Sequence, residues 1–203
     1  MLPKPMTASA ANICTVAVGH FAEHGYDASS LNEIANLAGM RKASLYAHFA
    51  NKDALFQQVF SIALKHELQH VTACFANEQH STDIVGAAYA KLLSARYEQS
   101  AHLRFLLRTA FLPPQELRPV VSAGYEHYLS QVRSAFISLL RERHDWAHAD
   151  TRVSERYAEA YLGIVDSLHV ELFYASPQAC QRRTLVLLHL MRDSMQLAAE
   201  TAG

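Results

Sequence analysis

Residues 29–55, SSLNEIANLAGMRKASLYAHFANKDAL, constrain this chain more than any other stretch. Ser30 is placed to cap a helix, because a serine hydroxyl accepts one of the N–H groups that a helix start leaves unpaired. Glu33, three residues on, completes a capping box. Leu31, Ile34, Ala35 and Ala38 recur at helical spacing and give that helix one apolar face. Gly39 supplies the positive φ of a tight turn out of a helix. A second helix is predicted over 42–49, with Leu45 and Phe49 inward and Lys42, Ala43, Ser44, Tyr46, Ala47 and His48 on its other faces. Asn51 then caps a third helix, and Asp53 sits at its positive end.

Two short helices around a tight turn, backed by a third, form a helix-turn-helix. Arg41, Lys42 and Lys52 bracket the second helix, with no acid between Met40 and Lys52. Ser44, Tyr46 and His48 offer polar tips for phosphates or base edges. A helix of this size fits the DNA major groove while the helix before it crosses the backbone. An ordinary helical hairpin with a solvated basic face is the other reading of the same residues. The chain's net charge is −1. Over residues 1–55, Lys4, Arg41, Lys42 and Lys52 balance Glu23, Asp27, Glu33 and Asp53. Any basic patch is therefore local, and affinity has to come from a few placed contacts and from dimerisation rather than a broad positive field.

The run from Val16 to Phe56 resembles the DNA-binding head of the TetR family of bacterial transcriptional regulators. The likeness rests on Phe21-Ala22-Glu23-His24-Gly25-Tyr26, Ser29-Ser30-Leu31, Ile34-Ala35, Ala38-Gly39, Ser44-Leu45-Tyr46, His48-Phe49 and Lys52 with Leu55, in that order and spacing. It implies that Lys42, Ser44 and Tyr46 contact bases or phosphates, and that Ser30, His48 and Lys52 contact the DNA backbone. Two positions depart from the family pattern. Arg41 stands where a short capping residue is common, at a cost of about 1 kcal/mol, with a phosphate contact as possible compensation. Ala47 stands where a longer polar residue is frequent. Ala43 is suited to touch a thymine methyl.

The rest of the chain reads as helix. Among 203 residues there are 7 glycines and 6 prolines, too few for long irregular regions. Beyond the head, helices are predicted over 9–24, 51–77, 82–99, 101–111, 115–143, 151–175 and 177–199, with Pro113-Pro114 as a firm stop. Ser176-Pro177 restarts the last one, serine as cap and proline at its first position. Asp150 or Thr151 caps the helix before it. Residues 1–8 read as an arm whose one charge is Lys4. The expected fold is all-α, with about nine helices: a three-helix head over 1–55 and a helical regulatory and dimerisation body over 56–203.

Leu162, Val165, Leu168, Leu172, Leu185, Leu188 and Met195 make apolar faces on the last two helices. They either pack internally or pair with a second copy, and the pattern leaves both open; the resemblance implies a homodimer, hence a near-palindromic operator. It also implies a small-molecule effector pocket among the middle helices. Candidate lining residues are Tyr89, Tyr97, Arg104, Phe105, Arg108, Tyr125, Tyr128, His169 and Phe173. The implied mechanism is a switch in which effector binding moves the two heads out of register with their half-sites. His66 and His70 stand at i and i+4, a spacing that either forms a polar helix face or binds a metal. With 12 histidines in the chain, a metal- or pH-responsive regulator with the same head is the alternative. Beyond His66 and His70, no phosphate loop, nucleophile elbow or paired metal motif points to an enzyme or a cofactor. Cys14, Cys74 and Cys180 are odd in number and far apart, as expected of reduced thiols in the cytoplasm, with a redox switch as the other reading. Residues 1–11 lack the pattern of a signal peptide, and no apolar run approaches the ~20 residues that span a bilayer.

Overall fold

With few helix breakers and regular apolar spacing, the chain has little to form but helices. In the computed structural model, residues 6–145, 147 and 151–202 are described, the last two by backbone alone. The helices are α1 (Ala8–His24), α2 (Leu31–Leu37), α3 (Lys42–Tyr46), α4 (Lys52–Asn77), α5 (Ala87–Gln99), α6 (Ala101–Phe111), α7 (Arg118–Arg143), α8 (Thr151–Tyr174) and α9 (Pro177–Ala202). A 3₁₀ turn, Gln115–Leu117, leads into α7. No strand occurs among the described residues, and the all-α expectation holds. Lys4 and Asp150 lie outside the described residues.

The chain divides into two compact units: Met1–Glu67 with Ser100–Tyr125, and Leu68–Gln99 with Glu126–Gly203. In the first, Ile13, Ala17 and Phe21 of α1 close on Ile34, Ala35, Leu45, Leu55 and Phe56, all buried. A helix from far along the chain completes this core. Phe105 of α6 meets Phe56 edge-on at 5.2 Å, Phe21 at 5.9 Å and Phe60 at 6.5 Å. Such aromatic pairs add roughly 0.5–1.5 kcal/mol each beyond the area they bury. Gly25 ends α1 with φ 78°, and its N–H donates to the Phe21 carbonyl. The Arg108 guanidinium lies against it, with Nε 3.0 Å from where a Cβ would stand. Glycine is thus required there by both backbone and neighbour. Ser100 caps α6 and donates to buried Glu67 at 3.2 Å.

In the second unit α5, α8 and α9 pack around Tyr161, which is fully buried. Its ring stacks on Phe136 at 4.4 Å, and its hydroxyl donates to the Gly86 carbonyl at 2.7 Å. A helix was expected from Thr82, but α5 begins at Ala87. The cause is Gly86, whose φ of 81° breaks the helix, and Glu78, which caps the new start from outside. Its carboxylate accepts from the N–H groups of Gly86 at 2.7 Å, Ala88, and Tyr89 at 3.3 Å. A Cβ at Gly86 would come within 2.5 Å of the Tyr161 ring.

His169 of α8 is fully buried and stacks on Tyr128 at 6.0 Å. Burial lowers its pKa from 6.5 to about 3. The unfolded chain therefore takes up a proton below pH 6.5 that the native state refuses. The stability this contributes is complete above pH 6.5 and is lost as pH falls toward about 3. Urea midpoints measured between pH 7 and pH 4 should fall, and should fall less steeply in His169→Phe; equal slopes would place the acid sensitivity elsewhere.

Candidate nucleic-acid interface

The capping box predicted for α2 is present. The Glu33 N–H donates to Ser30 Oγ at 3.1 Å, and the Ser30 N–H donates to Glu33 Oε2 at 3.2 Å. Gly39 leaves α2 with φ 70°. The Met40 N–H reaches back to the Ala35 carbonyl and the Gly39 N–H to the Asn36 carbonyl, each at 3.0 Å. Such backward bonds satisfy the carbonyls that a helix end leaves open. Asn12 of α1 adds an amide donor to the Ala38 carbonyl at 3.1 Å. The direction of the chain into α3 is thereby fixed.

α3 is shorter than the expected 42–49 and ends at Tyr46. The His48 N–H turns to the Leu45 carbonyl at 2.9 Å, which tightens the last turn. Arg41 occupies the N-cap position with no side-chain cap bond, so its guanidinium is left outside. Leu45 is fully buried and Phe49 nearly so. With those two inward, Arg41, Lys42, Ala43, Ser44, Tyr46, Ala47 and His48 are all exposed. Lys42 Nζ lies 5.8 Å from the Tyr46 ring centroid. Tyr46 is 46% exposed, a large aromatic kept in water with no partner helix over it among the described residues of its unit. The face carries two cations, two hydroxyls and an imidazole, and no carboxylate. It offers donors to phosphate and base edges, which is the chemistry of a groove reader.

Lys52 is placed differently from the other predicted contacts. Its ammonium donates to the carbonyls of Tyr26 at 2.9 Å and Ser29 at 3.1 Å, and lies 4.1 Å from the Tyr26 ring centroid. The Tyr26 hydroxyl donates to the Asp53 carboxylate. Burial, with the Asp53 hydrogen bond and charge, pushes the Tyr26 hydroxyl well above its usual range. Lys52, Tyr26 and Asp53 together tie the α1–α2 turn to the start of α4. Two of the three donors on the Lys52 ammonium thus have carbonyl partners inside the head, which makes this residue a staple. Ser30 is exposed, but its hydroxyl also serves the cap. Backbone carbonyls carry no residue signature, so nothing in the sequence could reveal the staple.

The residues predicted to line an effector pocket do not all converge. Tyr89, Tyr128 and His169 come together in the second unit: the two hydroxyls share a hydrogen bond, and Tyr128 stacks on His169. Phe105 and Arg108 serve the first unit, in the aromatic core and over Gly25. Tyr97, Arg104, Tyr125 and Phe173 are half-buried. Of the predicted dimer face, Val165, Leu168, Leu172, Leu188 and Met195 are buried within their own unit. Leu162 is half-buried, and Leu185 is 63% exposed. The exposed apolar residues of α8 and α9 are instead Val170, Tyr174, Leu185, Val186, Leu190 and Leu197. Helical spacing marked α8 and α9 as apolar but could not say which stripe each spends on its own protomer. His66 stacks on His102 at 4.2 Å, and the His70 ring lies 3.4 Å from Cys74 Sγ. No group of three or more ligating side chains suits a metal among the described residues. Cys14, Cys74 and Cys180 are buried thiols outside any disulfide, and burial pushes the Cys14 thiol up to about 11.

Residues 13–59 match the sequence model of the bacterial regulatory proteins of the tetR family. The head is a TetR-family domain. The chain is 24% identical over 122 residues to the HTH-type transcriptional regulator YhgD of Bacillus subtilis, across 60% of this chain and 64% of that protein. It is 43% identical over 42 residues to IcaR of Staphylococcus aureus, a negative transcriptional regulator of the biofilm operon icaADBC, across 21% of this chain and 23% of IcaR. The chain thus spans less than two thirds of the length of either curated relative. In fold it is similar to a TetR-family regulator from Mesorhizobium loti, with a TM-score of 0.68 at 17% identity over 92% of this chain and 97% of the other. No described helix is long and apolar enough to cross a membrane.

The staple predicts a separation of effects. Lys52→Ala removes two charged hydrogen bonds and should destabilise the protein by on the order of 1–3 kcal/mol. Lys42→Ala, on the open face of α3, should stay within about 0.5 kcal/mol of wild type. Urea unfolding measures both, and equal stabilities would contradict the staple.

Proposed function

We propose that this chain is a ligand-responsive transcriptional repressor that binds a near-palindromic operator as a homodimer. The observation that carries this reading is the outward face of α3: Arg41, Lys42, Ser44, Tyr46 and His48 exposed together on a helix pinned by Leu45 and Phe49. In this reading residues 1–55 are the DNA-binding domain and 56–203 the regulatory and dimerisation domain. Lys42, Ser44 and Tyr46 face the groove, with Ala43 against a thymine methyl. Arg41, Ser30 and His48 meet the backbone, and Lys52 holds the head's shape.

Homodimerisation is assigned to the exposed stripe of α8 and α9. Leu185, Val186, Leu190 and Leu197, with Val170 and Tyr174, leave much apolar surface in water, more than scattered single residues would. Burying it against a second copy around a two-fold axis sets two α3 helices about one DNA turn apart. An effector that favours one conformation of the body by a few kcal/mol suffices to shift the population between DNA-binding and released states. The family is one of regulators rather than enzymes, and the cytoplasm is where such a regulator meets its DNA.

Selection of random duplexes on the purified protein should return a near-palindrome. On that site Lys42→Ala should weaken binding and lower the slope of log affinity against log salt by about 1. Recovery of no motif, with binding that fades smoothly with salt, would contradict the reading. Val186→Glu with Leu190→Glu should convert the dimer to monomer in sedimentation velocity and abolish operator binding. An unchanged sedimentation coefficient would place the interface elsewhere.

A further inference from the structure

We propose that the second unit binds a small carboxylate with a short apolar tail in the cavity between residues 82–84, the C-terminal end of α7 and the last turns of α9. The cavity has a volume of about 220 Å³; its polar lining includes Asp83, Arg143, His144, Arg192 and Gln196, and its apolar lining Ile84 and Met195. It shares no residue with the Tyr89–Tyr128–His169 cluster.

Arg143 is the anchor. Its Nη2 donates to the carbonyls of Ser81 at 2.7 Å and Asp83 at 2.5 Å. Its Nη1 is buried and has no hydrogen-bond partner. That nitrogen carries two N–H donors on a charged group, and leaving such a donor buried and unmet is costly. Two neighbouring acids, Asp83 and Glu78, already have partners. The Asp83 carboxylate takes both Lys91 and, at 2.7 Å, Arg192. Burial pushes the Asp83 carboxyl up, but hydrogen bonds from Lys91, the Ile84 N–H and Arg192 outweigh it and hold it below its usual value. Glu78, whose carboxyl feels the Arg143 charge, serves the N–H groups at the start of α5. Among the described lining residues, Arg143 and Arg192 are cationic against the one carboxylate of Asp83.

The shape of the lining selects the class of anion. A guanidinium edge matches a planar carboxylate. Ile84 is 8% exposed and Met195 5% exposed, and both line the same cavity as the arginines. Inorganic phosphate would leave those two side chains without an apolar partner, whereas a chain of a few carbons covers them. His144 lies beside Arg143; burial and that charge lower its pKa, so the imidazole is neutral near pH 7. As an effector site the cavity rests on the regulator reading. As a binding site it stands on the second unit alone.

The test is calorimetric titration of the full chain with hexanoate, 1-hexanol and inorganic phosphate, without DNA. Hexanoate should bind saturably at one site per chain, with hexanol and phosphate weaker by roughly tenfold or more. Ala199→Trp, at an exposed position on the cavity rim, should abolish hexanoate binding while leaving every Arg143 bond in place. Arg192→Gln should weaken it several-fold. Arg143→Gln should abolish it too, and the rim variant decides the matter if that protein fails to fold. No saturable hexanoate binding, or binding untouched by Ala199→Trp, would overturn the site. Phosphate bound more tightly than hexanoate would overturn the carboxylate class. None of these outcomes depends on whether an operator is found.

Discussion

Leu45 and Phe49 hold α3 by one edge, and the rest of the head follows from that attachment. A helix of five residues cannot stand on its own backbone bonds in water. Its position comes from two apolar side chains sunk into the core beside Ile34, Ala35 and Leu55. Once those two point inward, helical geometry turns every other side chain of α3 outward. The polar face is a consequence of the apolar anchor, and the polarity of the anchor's neighbours gives that face its chemistry.

The head's stability draws on residues far outside its own sequence. Phe105 reaches from α6 into the aromatic core, and Arg108 covers the glycine that ends α1. Lys52 and Tyr26 close the other side by tying the α1–α2 turn to α4. The compact unit therefore includes α6 and the first turns of α7 as well as the three short helices. Substitutions in α6 should be read first for their effect on this core, before any role in binding a ligand is assigned to them.

Much of this was legible in the residues. Ser30 with Glu33 announced the capping box, Gly39 the turn and Asn51 the cap of α4, and each takes the predicted role. These are local signals, in which one residue acts on backbone a few positions away. What stayed hidden was non-local. Glu78 caps α5 from outside the helix, across a loop, and moves its start to Ala87. Lys52 is paired with carbonyls that no residue type identifies. The apolar stripe chosen on α8 and α9 turned out to be mostly core, since periodicity reports that a face is apolar without saying what it faces. Arg143 carried no signal at all as a C-terminal arginine of a long helix. Its interest lies in one buried nitrogen.

The most direct test of the central claim, that the outward face of α3 is the surface that meets DNA, is amide hydrogen exchange with and without duplex DNA at low salt. No operator need be known, because phosphate contacts hold the head on any sequence under those conditions. Slowed exchange concentrated in residues 41–48 and at the start of α2 is the predicted result. Unchanged exchange across those residues, with protection appearing elsewhere on the chain, would contradict it.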